Sequence, residues 1–174
     1  MMTPLVLTLI GQDQPGLVSA IAQKISACGG NWQDSRMASM AGKFAGLLLV
    51  SVPDTQADAL IAALRTLEQQ GLRLVIERGS NEAPAPAGRT LTLTLTGLDR
   101  PGIVRDISDA LARRKVSIKE MQTVFFNAAF SGENMFEMHA TLHAPHGMGD
   151  EALRLALDEL ARHLMVDIGL GQAV

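Results

Sequence analysis

The stretch LTLIGQDQPGLVSAI, residues 7–21, runs as alternating apolar and polar residues, breaks at a Gly-x-Asp-x-Pro-Gly corner, and continues with a helical period. Residues 93–107 repeat it as LTLTGLDRPGIVRDI. Gly11, Asp13, Pro15, Gly16, Val18 and Ile21 recur as Gly97, Asp99, Pro101, Gly102, Val104 and Ile107, while Leu17 becomes Ile103 and Ile25 becomes Leu111. Self-similarity of this kind decides the architecture before any single element does.

Working outward, both copies follow one order of patterns. Thr3–Ile10 and Thr90–Thr96 alternate as strands do. Leu17, Val18, Ile21 and Ile25, like Ile103, Val104, Ile107 and Leu111, recur at three-to-four spacing and predict a helix. Pro15 and Pro101 suit a first helical turn, where no N–H is needed. A strand near Asn31–Met40 pairs with Lys43–Val52 across MAGK, and FAGLLLVSVP (44–53) returns as FEMHATLHAP (136–145). The second copy is longer in the intervening hairpin, FFNAAFSGEN (125–134). A second helix carries Leu60, Leu64 and Leu67, or Leu153, Leu157 and Leu160. Arg73–Glu77 and Met165–Ile168 close the units as short strands. Strand, helix, strand, strand, helix, strand is the split βαβ, ferredoxin-like unit. The expected fold class is α+β: two tandem βαββαβ domains whose antiparallel sheets carry helices on one face. RGSNEAPAPAGR (78–89) has no apolar period and reads as a connector. The expected domains are residues 1–80 and 89–174, with a linker over 81–88.

Composition narrows the function. The chain of 174 residues is 47% hydrophobic and 19% charged, with a net charge of −3. An acidic chain is a poor match for a phosphate backbone. Its one basic cluster, Arg113-Arg114-Lys115, falls at a helix end where cations complement the dipole. Direct nucleic-acid binding is not expected. The longest apolar run, Gly46–Val52, falls far short of the ~20 residues that span a bilayer, and the N-terminus lacks a basic n-region and cleavage site. A cytoplasmic protein without membrane attachment is expected. The single cysteine, Cys28, permits no intrachain disulfide and reads as a small hydrophobe. No nucleophile motif points to an enzyme, and no cofactor is implied. His139 and His143 share a strand face but lie ~13 Å apart along it. His143 and His146 can converge across a turn without a third ligand, so no metal is expected.

The corner has two readings. The N–H groups and partial charge of a helix start attract carboxylates and phosphates, and Asp13 or Asp99 can accept from an ammonium group, which together suit a zwitterionic amino acid. Equally, Asp near a helix start is a common cap and Gly-Pro corners are ordinary turns.

At this corner GQDQPGLVSAIAQKISACGGNW and GLDRPGIVRDISDALARRKVSI resemble the opening of ACT domains, small regulatory modules that bind amino acids and related metabolites. In such domains the corner and a polar residue starting the second strand form the ligand site, usually between two modules. The resemblance assigns Gly11, Gln12, Asp13, Pro15, Gly16, Leu17 and Asn31 in the first copy. In the second it assigns Gly97, Leu98, Asp99, Pro101, Gly102, Ile103 and Ser117. Asn31 has more reach than Ser117, and Gln12 and Gln14 are replaced by Leu98 and Arg100, which favours the first copy as the polar site. Two such modules and nothing else resemble the glycine cleavage system transcriptional repressor group, whose members act on an activator protein. That resemblance implies a non-catalytic amino-acid sensor, with glycine the suggested ligand and a transcriptional activator the protein partner. The alternatives are an allosteric subunit of a biosynthetic enzyme and a ligand-free assembly module.

Phe125, Phe126, Phe130 and Met135 gather in the longer hairpin. Adjacent Phe125 and Phe126 must face opposite sides of a strand, so one needs cover from another module or chain. They are the expected contact for a homodimer or partner, against internal packing as the other reading. Trp32, beside Asn31, reads as packing.

Overall fold

The computed structural model describes residues 1–80, 88–129, 131–147 and 149–172. The chain divides into two compact units, Met1–Pro84 and Ala85–Val174. Unit 1 contains β1 (Met2–Gln12), α1 (Leu17–Ala27), β2 (Asn31–Met40), β3 (Lys43–Pro53), α2 (Ala57–Arg65) and β4 (Arg73–Arg78), with a 3-10 turn, Thr66–Gln70, extending α2. Unit 2 contains β5 (Gly88–Leu98), α3 (Ile103–Ala112), β6 (Ser117–Asn127), β7 (Asn134–Pro145), α4 (Asp150–Leu164) and β8 (Val166–Gln172). The sheets run β2-β3-β1-β4 and β6-β7-β5-β8, antiparallel at every junction. These are two ferredoxin-like units of the α+β class. The linker expected over 81–88 lies, up to residue 87, outside the described residues.

Period-two patterning explains the sheets. Leu5, Leu7 and Leu9 of β1 point to the helices, as do Leu91, Leu93 and Leu95 of β5, and all are buried. Each such leucine contributes ~1.5–3 kcal/mol by leaving water. Ile21 and Ile25 of α1, and Ile103, Ile107 and Leu111 of α3, meet them from the helix side. Leu60, Leu64 and Leu67 complete the first core; Leu153 and Leu157 are buried in the second, with Leu160 packed at its margin. Cys28 and Trp32 pack against the first core, and Trp32 Nε1 donates to Ser35 Oγ at 3.2 Å. Both second strands carry a bulge at the same place, between Trp32 and Asp34 and between Ile118 and Glu120.

Two boundaries differ from the sequence reading. Pro15 and Pro101 stand in the turn before the helix, because Gly16 and Gly102 are left-handed (φ 91° and 99°) and the helices begin only after them. The last strand of unit 2 begins at Val166, since Met165 ends α4 in a left-handed conformation. The tight hairpin at Ala41-Gly42 has φ of 49° and 75°, the signature of a type I′ turn. No helix among the described residues is long and apolar enough to cross a membrane.

Candidate functional site

Each corner is tied down by its backbone. Asp13 N–H donates to the Gly42 carbonyl at 3.1 Å, and Asp99 N–H to the Asn134 carbonyl at 2.8 Å, fixing the loop to the hairpin of the second and third strands. The carbonyls of Gly16 and Gly102 accept the first helical bonds, from Ala20 at 2.8 Å and Asp106 at 2.9 Å. Neither helix has a side-chain cap, so Asp13 and Asp99 are not caps. Asp13 instead accepts a hydrogen bond from Ser39 Oγ on β2. The first N–H groups of α1 and α3 have no carbonyl within their helices to bind.

The two corners diverge in what faces those groups. In unit 1, Gln14, Pro15, Gly16, Leu17 and Ala20 line a cleft of about 140 Å³ with Leu67, Gln70 and Leu72. In unit 2, Arg100 stands where unit 1 has Gln14. Its guanidinium crosses to donate to the Leu164 carbonyl at the end of α4, where a cation also suits the dipole. Arg105, 3.0 Å from where a Cβ on Gly102 would lie, pairs with Asp106 at 2.7 Å beside that helix start. The helix start of unit 2 therefore has cations of its own beside it, whereas none lines the cleft at the helix start of unit 1.

Gly11 and Gly97 serve packing. A Cβ on Gly97 would meet Val166 at 2.5 Å, and one on Gly11 would meet Leu72 Cδ1 at 3.0 Å. Gln12 borders an open cleft with Lys43 and Arg73, whereas Leu98 borders a groove with Met135, Leu155 and Met165. Asn31 and Ser117 are exposed and stand far from the corners of their own units. Asn31 pairs with Ser51 while Gly11 pairs with Phe44, and Ser117 pairs with His143 while Gly97 pairs with Phe136. Seven residues of strand correspond to ~23 Å, so a corner and its own second-strand residue cannot share one small ligand. Ser39, Leu67, Gln70 and Leu72 are not expected at the corner from the sequence, whereas the Gln12-to-Leu98 and Gln14-to-Arg100 exchanges between copies signal that the two corners differ.

Phe125 and Phe126 are both exposed, at 57% and 37%, along with Met121 and Val124. Among the described residues of β6 only Ile118 packs against the core, so the other reading, internal packing of this strand, finds no support within unit 2. Met135 is half-buried, and Phe130 lies outside the described residues. His139 pairs with Glu137. Among the described residues no three His, Cys, Asp or Glu side chains are grouped to hold a metal ion.

Residues 3–77 match the family model of the ACT domain. The chain is 25% identical to the glycine cleavage system transcriptional repressor of Escherichia coli (strain K12), over 81% of this chain and 75% of the relative. The same figures hold for the Shigella flexneri protein of that name. Among solved structures, a Galdieria sulphuraria protein described only as unknown aligns over the whole of both chains with a TM-score of 0.87 and 27% identity. A structure provisionally assigned as a glycine cleavage system transcriptional repressor aligns with a TM-score of 0.68 over 98% of this chain and 97% of that one, and at 22% identity supports the fold alone. The first unit thus matches the ACT-domain family model and the second repeats its fold, and the chain as a whole resembles the glycine cleavage system transcriptional repressors.

Proposed function

We propose that the protein is a non-catalytic regulator that binds a small amino acid, glycine being the first candidate, at the corner of unit 1. The observation that carries the reading is the contrast between the corners. Unit 1 keeps a cleft of about 140 Å³ at a helix start that nothing caps, and a cavity of ~150 Å³ is enough to hold a six-carbon ring. In unit 2 Arg100 takes the corresponding place. Backbone N–H groups of Leu17 and Val18 would receive the carboxylate, with Asp13 or an Asn31 supplied by another module receiving the ammonium group. Binding shifts a population only if one arrangement of modules is bound more tightly than another. The output is a changed contact with a regulatory protein in the cytoplasm, a transcriptional activator by likeness to the repressors, with Phe125 and Phe126 offered on the edge strand β6 and Met135 beside them on β7.

Calorimetry on the full chain with each of the twenty amino acids, alongside Trp32 fluorescence, tests this. One site per chain is expected, weakened at least ~10-fold by Gln14→Arg, which copies the Arg100 arrangement into unit 1. No heat with any amino acid, or undiminished binding by the folded variant, overturns it. Affinity capture from native cytosol then distinguishes a transcription factor from an enzyme as the partner.

A further inference from the structure

The face of each sheet turned away from the helices differs completely between the units. In unit 1 it carries Val6 and Ile10 on β1, Leu47 and Leu49 on β3, and Val75 on β4. The register sets Leu47 and Val75 on either side of Thr8, Leu49 beside Val6, and Ala45 beside Ile10. The result is one aliphatic strip across three strands, in which Ile10, Leu47 and Val75 are 46%, 47% and 57% exposed. At the same register positions unit 2 has Thr92, Thr96, His139, Thr141 and Gly169. The fold thus works with a polar outer face, and the aliphatic one in unit 1 has no internal use. Isolated apolar residues on a surface are ordinary, whereas a contiguous patch marks an interaction site.

We infer that this face is where a second copy of the chain docks, sheet against sheet about a two-fold axis. Over β1, β3 and β4 the pattern is complementary to itself, while on β2 the same axis brings Arg36, paired with Asp34 at 2.6 Å, level with Arg36 of the second copy. An axis crossing the strands at Thr8 lays Leu47 on Leu47 and Val75 on Val75 of the second copy, Val6 on Ile10, and the large Leu49 on the small Ala45. On β4, Arg73 is level with Ile10 and Glu77 with Val6, equally far on either side of Thr8. The same axis therefore sets Arg73 over Glu77 of the second copy, twice. Neither residue has an ion pair among the described residues. An isologous contact requires this kind of matching. The size also fits: four strands ~4.8 Å apart, three of ten or eleven residues and β4 of six, give a plan area on the order of 600 Å², near the ~800 Å² per partner of a stable interface. The inference does not depend on amino-acid binding at the corner.

Sedimentation of the full chain over a dilution series reads it directly. The wild type should dimerise reversibly, and Leu47→Glu, at an already exposed position, should raise the dissociation constant at least ~10-fold. Arg73→Glu and Glu77→Arg should each weaken the dimer, and the double exchange should restore it. The rescue keeps the test decisive should Leu47→Glu misfold. A wild type that is monomeric throughout, whose aliphatic face would then be covered by something else, overturns the inference. So does a dimer indifferent to these changes.

Discussion

The two corner glycines look interchangeable in sequence, yet replacing each with alanine should have unequal cost. Gly97 pairs directly with Val166 in the β5–β8 ladder. A Cβ there would sit 2.5 Å from Val166 Cγ1, 2.9 Å from its Cβ and 3.0 Å from its Cα. Valine is stiff at χ1, and the third contact is backbone, so β8 itself must move. Overpacking of this kind costs ~1–3 kcal/mol, offset by ~0.5–1 kcal/mol from the lower chain entropy of alanine in a strand. The two ranges leave a net loss of ~0–2.5 kcal/mol, and three contacts of 3.0 Å or less, one of them to backbone, put Gly97→Ala in the upper part, at ~1.5–2 kcal/mol. At Gly11 the ladder to β4 has already ended, and the nearest atom is the terminal methyl of Leu72 at 3.0 Å. A leucine methyl can rotate aside, so Gly11→Ala should fall within ~0.5 kcal/mol of the wild type. Urea unfolding separates the two, because Trp32, the only tryptophan, reports on unit 1 and far-UV circular dichroism on both units. For a unit of this size ~2 kcal/mol lowers the melting temperature by ~8–16 °C. Equal losses at the two glycines would refute the packing argument and return the pair to a role in the loop.

Two further outcomes follow from backbone and capping geometry. Ala41 holds φ of 49° in the β2–β3 hairpin, so Ala41→Asn, which makes the favoured Asn-Gly turn, should stabilise unit 1 by ~0.5–1 kcal/mol, read as a higher urea midpoint of Trp32 fluorescence. Arg100→Ala should cost unit 2 ~1–2 kcal/mol, because the Leu164 carbonyl loses a charged donor, read as a lower midpoint by circular dichroism.

What could be read in the sequence was what is locally encoded. Periods of two and of three to four residues are set by backbone geometry, so Leu5, Leu7, Leu9 and their counterparts Leu91, Leu93 and Leu95 reveal their buried face without tertiary information. What could not be read depends on contacts distant in the chain. Ser39 reaches Asp13 only because a hairpin folds back, and Arg100 reaches Leu164 only once α4 is docked. Asn31 and Gly11 look like parts of one site in sequence, and strand register alone sets them at opposite ends of the sheet. The helix start was misplaced because a left-handed glycine and a helical one are written with the same letter. For β6 the alternation was visible, but whether a helix covers its far half was not.

The copies agree where packing constrains them and part where it does not. Inward positions hold leucine and isoleucine in both units, since a volume change in a close-packed core is costly. Outward positions carry no such constraint, and unit 2 proves it by tolerating threonine, histidine and glycine where unit 1 has valine, leucine and isoleucine. An aliphatic outer face adds nothing to the fold of unit 1 and leaves apolar surface in water, a cost of ~25 cal/mol for every Å² left uncovered. The same reasoning applies to unit 2, whose corner is taken by Arg100 and whose β6 holds Phe125, Phe126, Met121 and Val124 in solvent. Each unit therefore carries a surface that its own fold does not need, and the two surfaces are on different elements: the outer sheet face in unit 1, the edge strand in unit 2. Such a division lets one surface hold a second copy while the other stays free for a different protein, which a pair of identical modules could not do.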